Sequence, residues 1–185
     1  HEMKNQYLAI VVSIISVSFA SIFIVSLNQR GVEPLPIALY RLLFTTLFLL
    51  PFILAHKTTR QELLRIPRSS FLLMMVIGCV LAAHFALWIT SLKLTSVASS
   101  VILVTAHPIL VVPVSHFFFK ERLSFVNSIG IALSVSGVFI LVYGNYGVAT
   151  GTLDTLEGNV LAILGGAAAG LYILGGRKIR KTVSV

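Results

Sequence analysis

Three groups of side chains in this sequence could do chemistry, and all stand in apolar surroundings. His84 and Trp88 are four residues apart, so on a helix they share one face. Together they could form an aromatic, protonatable wall, because imidazole titrates near neutral pH. The plainer reading makes Trp88 an interfacial anchor and lets His84 hydrogen-bond a neighbouring helix. The second group is His107-Pro108. Proline removes a backbone hydrogen bond and collides with the carbonyl of Val104, so a kink is expected there. Ser96, Ser100, Leu103 and His107 fall at i, i+4, i+7 and i+11, a polar stripe leading to that kink. A freed carbonyl, a bend and an imidazole at depth are what solute sites in membranes are commonly built from, although Pro108 could also serve packing alone. The third group is Arg41. It is expected to snorkel outward or to pair with a helix C-terminus or a loop carboxylate such as Glu33, contact with a substrate anion being the less favoured reading. Ser13, Ser16 and Ala20 add a narrow polar-to-small stripe, which places Ser16 either on a pathway or in a helix contact.

Positioning these groups falls to membrane-spanning helices. Of 185 residues, 57% are hydrophobic and only 11% are charged, and the mean hydropathy is +0.97. That is too little charge to form the shell of a water-soluble domain of this size. Apolar runs of spanning length recur at 7–27, 36–55, 71–91, 95–119, 125–143 and 158–176, each near the ~20 residues that a helix needs to cross ~30 Å of hydrocarbon. They do not alternate polar with apolar, as barrel strands would. The fold class is therefore all-α integral membrane, with six transmembrane helices. The first run is long enough to span and is read as a helix, not as a cleavable signal. His1 and Glu2, ahead of Met3, read as a non-native addition within an N-terminal segment, 1–6, and His1 is given no functional part.

Lys and Arg in alternate loops set the orientation. Eleven stand on one side, at Lys4, in 57–68, in 120–122 and in 177–181, against Arg30 and Lys93 on the other. The positive-inside rule puts both termini in the cytoplasm of a cell-membrane protein. The net charge of +8 thus follows topology, and no nucleic-acid partner is expected. Segment 59–65 (TRQELLR) could be a short amphipathic turn at that surface or a solvated loop held by anionic lipid.

No Asp or Glu lies within any of the six runs, which disfavours exchange of protons against organic cations at a buried carboxylate. The single cysteine, Cys79, rules out an intramolecular disulfide and a cysteine-rich metal site, and no metal or cofactor is expected. Nucleophile elbows, HExxH, paired intramembrane aspartates and phosphate loops are absent from the sequence, so the chain does not read as an enzyme. Gly166 and Gly170 form a GxxxG, and Gly130, Ser134 and Gly137 line one stripe. Such faces let helix backbones approach closely, within a chain or between subunits.

The order of motifs resembles the EamA domain of the drug/metabolite transporter superfamily. The matching elements are P-x-x-I-A-L-Y-R ending at Arg41, W-x-x-S-L-x-x-T-S-V-A-S-S from Trp88 to Ser100, Pro108, F-K-E-R-L at Phe119–Leu123 around Glu121, and G-x-x-x-S-x-x-G-V at Gly130–Val138. The resemblance implies ten helices in two inverted five-helix repeats around a central cavity. Residues 7–143 would be the first repeat, 144–157 an external loop, and 158–185 the first helix of a second repeat with a basic cytoplasmic end. On that pattern four helices are missing, so the chain is expected to be truncated, split, or completed by a partner chain or a second copy. His84, Trp88, Ser100 and His107 would stand near the cavity. The expected function is secondary transport of small organic metabolites, such as amino acids, by alternating access, with the proton as one candidate coupling ion. The alternative is a non-transporting membrane scaffold.

Overall fold

Lipid offers no hydrogen bonds, so an apolar run must satisfy its backbone within itself. In the computed structural model every element is a helix. It describes residues 2–120, 124–144 and 155–180. The elements are α1 (Glu2–Gln29), α2 (Pro34–Ala55), α3 (Lys57–Leu64), α4 (Arg68–Leu94), α5 (Val97–Thr105), α6 (Pro108–Phe119), α7 (Phe125–Gly144) and α8 (Leu156–Arg180). Five stretches are long and apolar enough to cross a bilayer, namely Val11–Gln29, Pro34–Ala55, Arg68–Leu94, Val97–Phe118 and Leu156–Arg177. The sixth expected span is α7, whose described apolar stretch, Phe125–Ile140, is shorter. Its 20 helical residues nevertheless extend roughly 30 Å at ~1.5 Å per residue. The protein is an all-α, multi-pass membrane protein. Its large exposed apolar side chains, such as Phe48, Phe118 and Leu133, are those of a surface that faces lipid.

Local grammar sets the helix ends. Pro34 and Pro36 occupy the first turn of α2, where a missing N–H costs nothing. Segment 59–65 falls largely within the short helix α3. Between α4 and α5 the chain turns within Thr95 and Ser96, and the Ser96 hydroxyl caps α5 by accepting from the Ser99 N–H at 3.1 Å. Lys120 ends α6 in the left-handed region, at φ 54°, with its N–H donating to the Ser115 carbonyl. Glu121, beside it, lies outside the described residues.

The centre of the bundle is α8. It packs along α4 and further against α5 and α6, while α2 closes on the other flank of α4. Small residues make the close approach possible. A Cβ on Gly158 would fall 2.8 Å from the Leu94 carbonyl carbon, and one on Gly166 would fall 2.9 Å from the Val104 carbonyl oxygen. On Gly170 it would meet the Val111 side chain at 3.1 Å. Polar pairs fasten the same seam. Thr95 donates to Asn159 Oδ1 at 2.7 Å, and Arg177 donates to the Ser115 hydroxyl at 3.0 Å. Thr155 donates to the Leu94 carbonyl at 2.8 Å while accepting from the Gly158 N–H, so one hydroxyl caps α8 and ties it to the α4–α5 turn.

Gly130 and Gly137 serve no contact within the chain among the described residues, since a Cβ at either would meet nothing within 4 Å. The reason is that α7 lies at the edge of the bundle, and its main contacts, with α5 and α6, are light. Of the two readings of their stripe, a contact between subunits is the one left open.

Candidate functional site

A cavity of about 820 Å³ opens where α1, α2, α4, α5 and α8 meet. That is within the range of sites that enclose small organic molecules. Its wall is mostly apolar, and Arg41, His84, Trp88 and His107 all reach it. Three separate places, α2, α4 and the break between α5 and α6, thus bring together residues spread over much of the sequence.

His84 is held from behind. Its Nδ1 lies 2.8 Å from the Gly165 carbonyl on α8. A carbonyl only accepts, so Nδ1 carries the proton and donates, leaving the Nε2 lone pair in neutral imidazole. The His84 and Trp88 rings stack at 6.1 Å with 14° between planes, as the four-residue spacing requires. Trp88 is buried, at 5% exposure, so it is not an interfacial anchor. Its indole Nε1–H is buried without an acceptor among the described residues.

The helix break lies between Thr105, where α5 ends, and Pro108, where α6 begins, so the expected single kinked helix is two helices within one span. Pro108 cannot donate to the Val104 carbonyl, and the His107 side chain does so instead, its Nδ1 lying 3.3 Å from that oxygen. The imidazole therefore satisfies an acceptor that the proline orphans.

Arg41 does not pair with Glu33. Lys93 takes that carboxylate, with Nζ 3.1 Å from both oxygens. The Arg41 guanidinium instead stands 4.6 Å from the centre of the Phe85 ring and 5.4 Å from that of Trp88, as cation–π contacts.

The sequence profile of the EamA-like transporter family matches residues 5–143, most of the chain. The chain belongs to that family, and so to the drug/metabolite transporter superfamily. No curated protein and no solved structure gives a match. The matched EamA segment contains α1 to α7, and α8 lies beyond it. Yet α8 supplies the carbonyl that holds His84 and contributes Ala169 to the cavity wall.

Two expected pathway residues stand elsewhere. Ser100 does not line the cavity; it is fully buried at the α4–α5 turn, 2.6 Å from the Ser91 hydroxyl. Ser91 in turn donates to the Trp88 carbonyl, so Ser100 is the donor of the pair. With Ser96 engaged as a cap, the outer part of the expected polar stripe serves the turn, and only His107 at its inner end reaches the cavity. Ser16 is exposed and off the wall, which uses Ser13, Val17 and Ser21 together with Ile14, Ser18 and Ile22. At ~100° per residue, Ser16 stands roughly 60° outside that arc.

Sequence reasoning missed Phe85, Ser21, Thr105 and Gly165. Phe85 could have been found, because it neighbours His84 and shares its broad face with Trp88. Gly165 could not be separated from Gly166 by composition. The pair presents two sides of α8, one against Trp88 and the other against Val104.

Proposed function

We propose that this EamA-family protein is a secondary transporter that carries small organic solutes across the cell membrane by alternating access, with both termini cytoplasmic. The observation that carries the reading is the cavity itself. It lies beside a span that proline divides into two helices, and His84 and Trp88 from α4 and His107 from that break all line it. Discontinuous helices at depth are where transporters of other folds place their solutes. Metabolites such as amino acids are of the right size, and His84 and His107 are the groups through which a proton could couple to them.

The test is solute flux into proteoliposomes holding the complete protein. Trp88→Ala and His107→Ala should each lower flux at least several-fold while leaving insertion intact. Unchanged flux and affinity in both would remove the cavity from the mechanism. An imposed pH gradient that leaves flux unaltered would remove the proton from it.

One observation favours a second reading, in which another chain or a second copy completes the cavity. The small face of α7 at Gly130 and Gly137 meets no neighbour among the described residues. Cross-linking from α7 in membranes, followed by mass measurement, distinguishes the two.

A further inference from the structure

Arg41 is the only permanently charged side chain on the cavity wall among the described residues. No hydrogen-bond acceptor reaches its guanidinium there: the carboxylate expected for it is held by Lys93, and none of the six apolar runs contains an Asp or Glu. The Phe85 and Trp88 rings lie close and offer quadrupoles, but neither has a lone pair for the five N–H donors. A guanidinium drawn partly out of water, with aromatic contacts and no anion, is incompletely compensated.

The rest of the wall decides what kind of anion would complete it. Much of the remaining lining is aliphatic, from Ile14, Val17 and Ile22 on α1 and Val97, Val101 and Ile102 on α5, beside the imidazoles of His84 and His107 and the hydroxyls of Ser13, Ser18, Ser21 and Thr105. The hydroxyls of Ser18 and Thr105 donate to the helix carbonyls of Ile14 and Val101, so the cavity receives only their lone pairs. An inorganic anion would leave this apolar volume unfilled. An organic cation would meet Arg41 with no carboxylate to offset it.

We infer that the cavity takes small organic acids, with the carboxylate on the Arg41 guanidinium beside Trp88 and the apolar body along α1 and α5. A carboxylate is the ligand for which a guanidinium fork is best matched, through two parallel N–H···O bonds. This inference rests on the transport reading for its biological role, but it concerns binding and is tested without flux.

Trp88 is the sole tryptophan in the chain, so intrinsic fluorescence reports on this wall directly. The full chain in nanodiscs of zwitterionic phosphatidylcholine is titrated at neutral pH with hexanoate, hexanamide and hexylammonium, which share a body and differ in charge. Saturable change with hexanoate, about ten-fold tighter than with the amide and absent with the ammonium, is the expected result. Arg41→Lys should keep part of that preference and Arg41→Gln should abolish it, with circular dichroism confirming that the helices persist. The comparison of the three probes on the unaltered protein stands even if a variant fails to fold.

Equal affinity for acid and amide, or preference for the ammonium, would overturn the organic-acid assignment and leave a solute cavity in place. So would a response to phosphatidylglycerol alone with none to hexanoate, which would make the anion a lipid headgroup. Silence toward all three probes would overturn it too, while the fate of the transport reading would still rest on flux.

Discussion

His84 on α4 and Gly165 on α8 are 81 positions apart and are joined by a 2.8 Å hydrogen bond from Nδ1 to the carbonyl oxygen. The bond lies at the most extensive helix–helix seam of the protein, and it orients the imidazole against Trp88 on the cavity wall. A helix beyond the EamA-matched segment therefore positions a residue within it.

His84→Phe keeps a ring of similar size against Trp88 but cannot donate to Gly165. Loss of one buried hydrogen bond of this kind costs about 1 kcal/mol. Thermal unfolding of the variant in a fixed detergent should show that loss as a lowered midpoint. An unchanged midpoint would mean that the bond adds nothing to the α4–α8 seam.

Glycines of similar appearance should behave in opposite ways. A Cβ at Gly165 would lie 3.3 Å from the Trp88 backbone nitrogen, and one at Gly166 would lie 2.9 Å from the Val104 carbonyl. Backbone atoms cannot swing aside, so Gly166→Ala must separate α8 from α5, at about 1–3 kcal/mol, whereas Gly165→Ala needs α4 to give by only a few tenths of an ångström and should cost less. Gly130→Ala and Gly137→Ala meet open space, and alanine's better helix propensity makes them neutral to stabilising by up to ~1 kcal/mol. Equal destabilisation across the four would contradict this placement.

The contrast between those glycines shows where the sequence stops being legible. Periodicity and composition find helices because lipid enforces backbone self-satisfaction, and the spans follow from length alone. Spacing places His84 with Trp88, since both belong to one helix. What spacing cannot give is which helix faces which, and so Gly130 looks like Gly166. The same limit applies to polar residues. Ser100 and Ser16 read as pathway residues because they are polar at depth, but a hydroxyl can be satisfied by a turn or by its own helix. Sequence proximity makes Glu33 one candidate partner for Arg41, and Lys93, distant in sequence, holds that carboxylate.

The Lys93–Glu33 pair itself should contribute little to stability. Its side chains are 43% and 68% exposed, and ion pairs in such settings are typically worth less than ~1 kcal/mol. Glu33→Gln should leave the unfolding midpoint almost unchanged, and any effect should fade as salt rises. A large loss would show that the α1–α2 turn depends on this contact.

Pro108→Ala separates the packing role of the helix break from its functional one. An alanine N–H four residues beyond Val104 could take the carbonyl that His107 now satisfies at 3.3 Å, joining α5 and α6 into one helix. The added hydrogen bond stabilises by about 1 kcal/mol, and loss of proline's rigidity costs a comparable ~0.4–1 kcal/mol through the unfolded state. Stability should therefore shift by less than ~1 kcal/mol in either direction. Transport has no such offset. If alternating access bends the protein at this break, a continuous helix should lower flux several-fold while hexanoate still perturbs Trp88, because the wall bearing Arg41 is untouched. Flux at the original rate in a variant whose helices are joined would reduce Pro108 to a packing residue and move the hinge elsewhere.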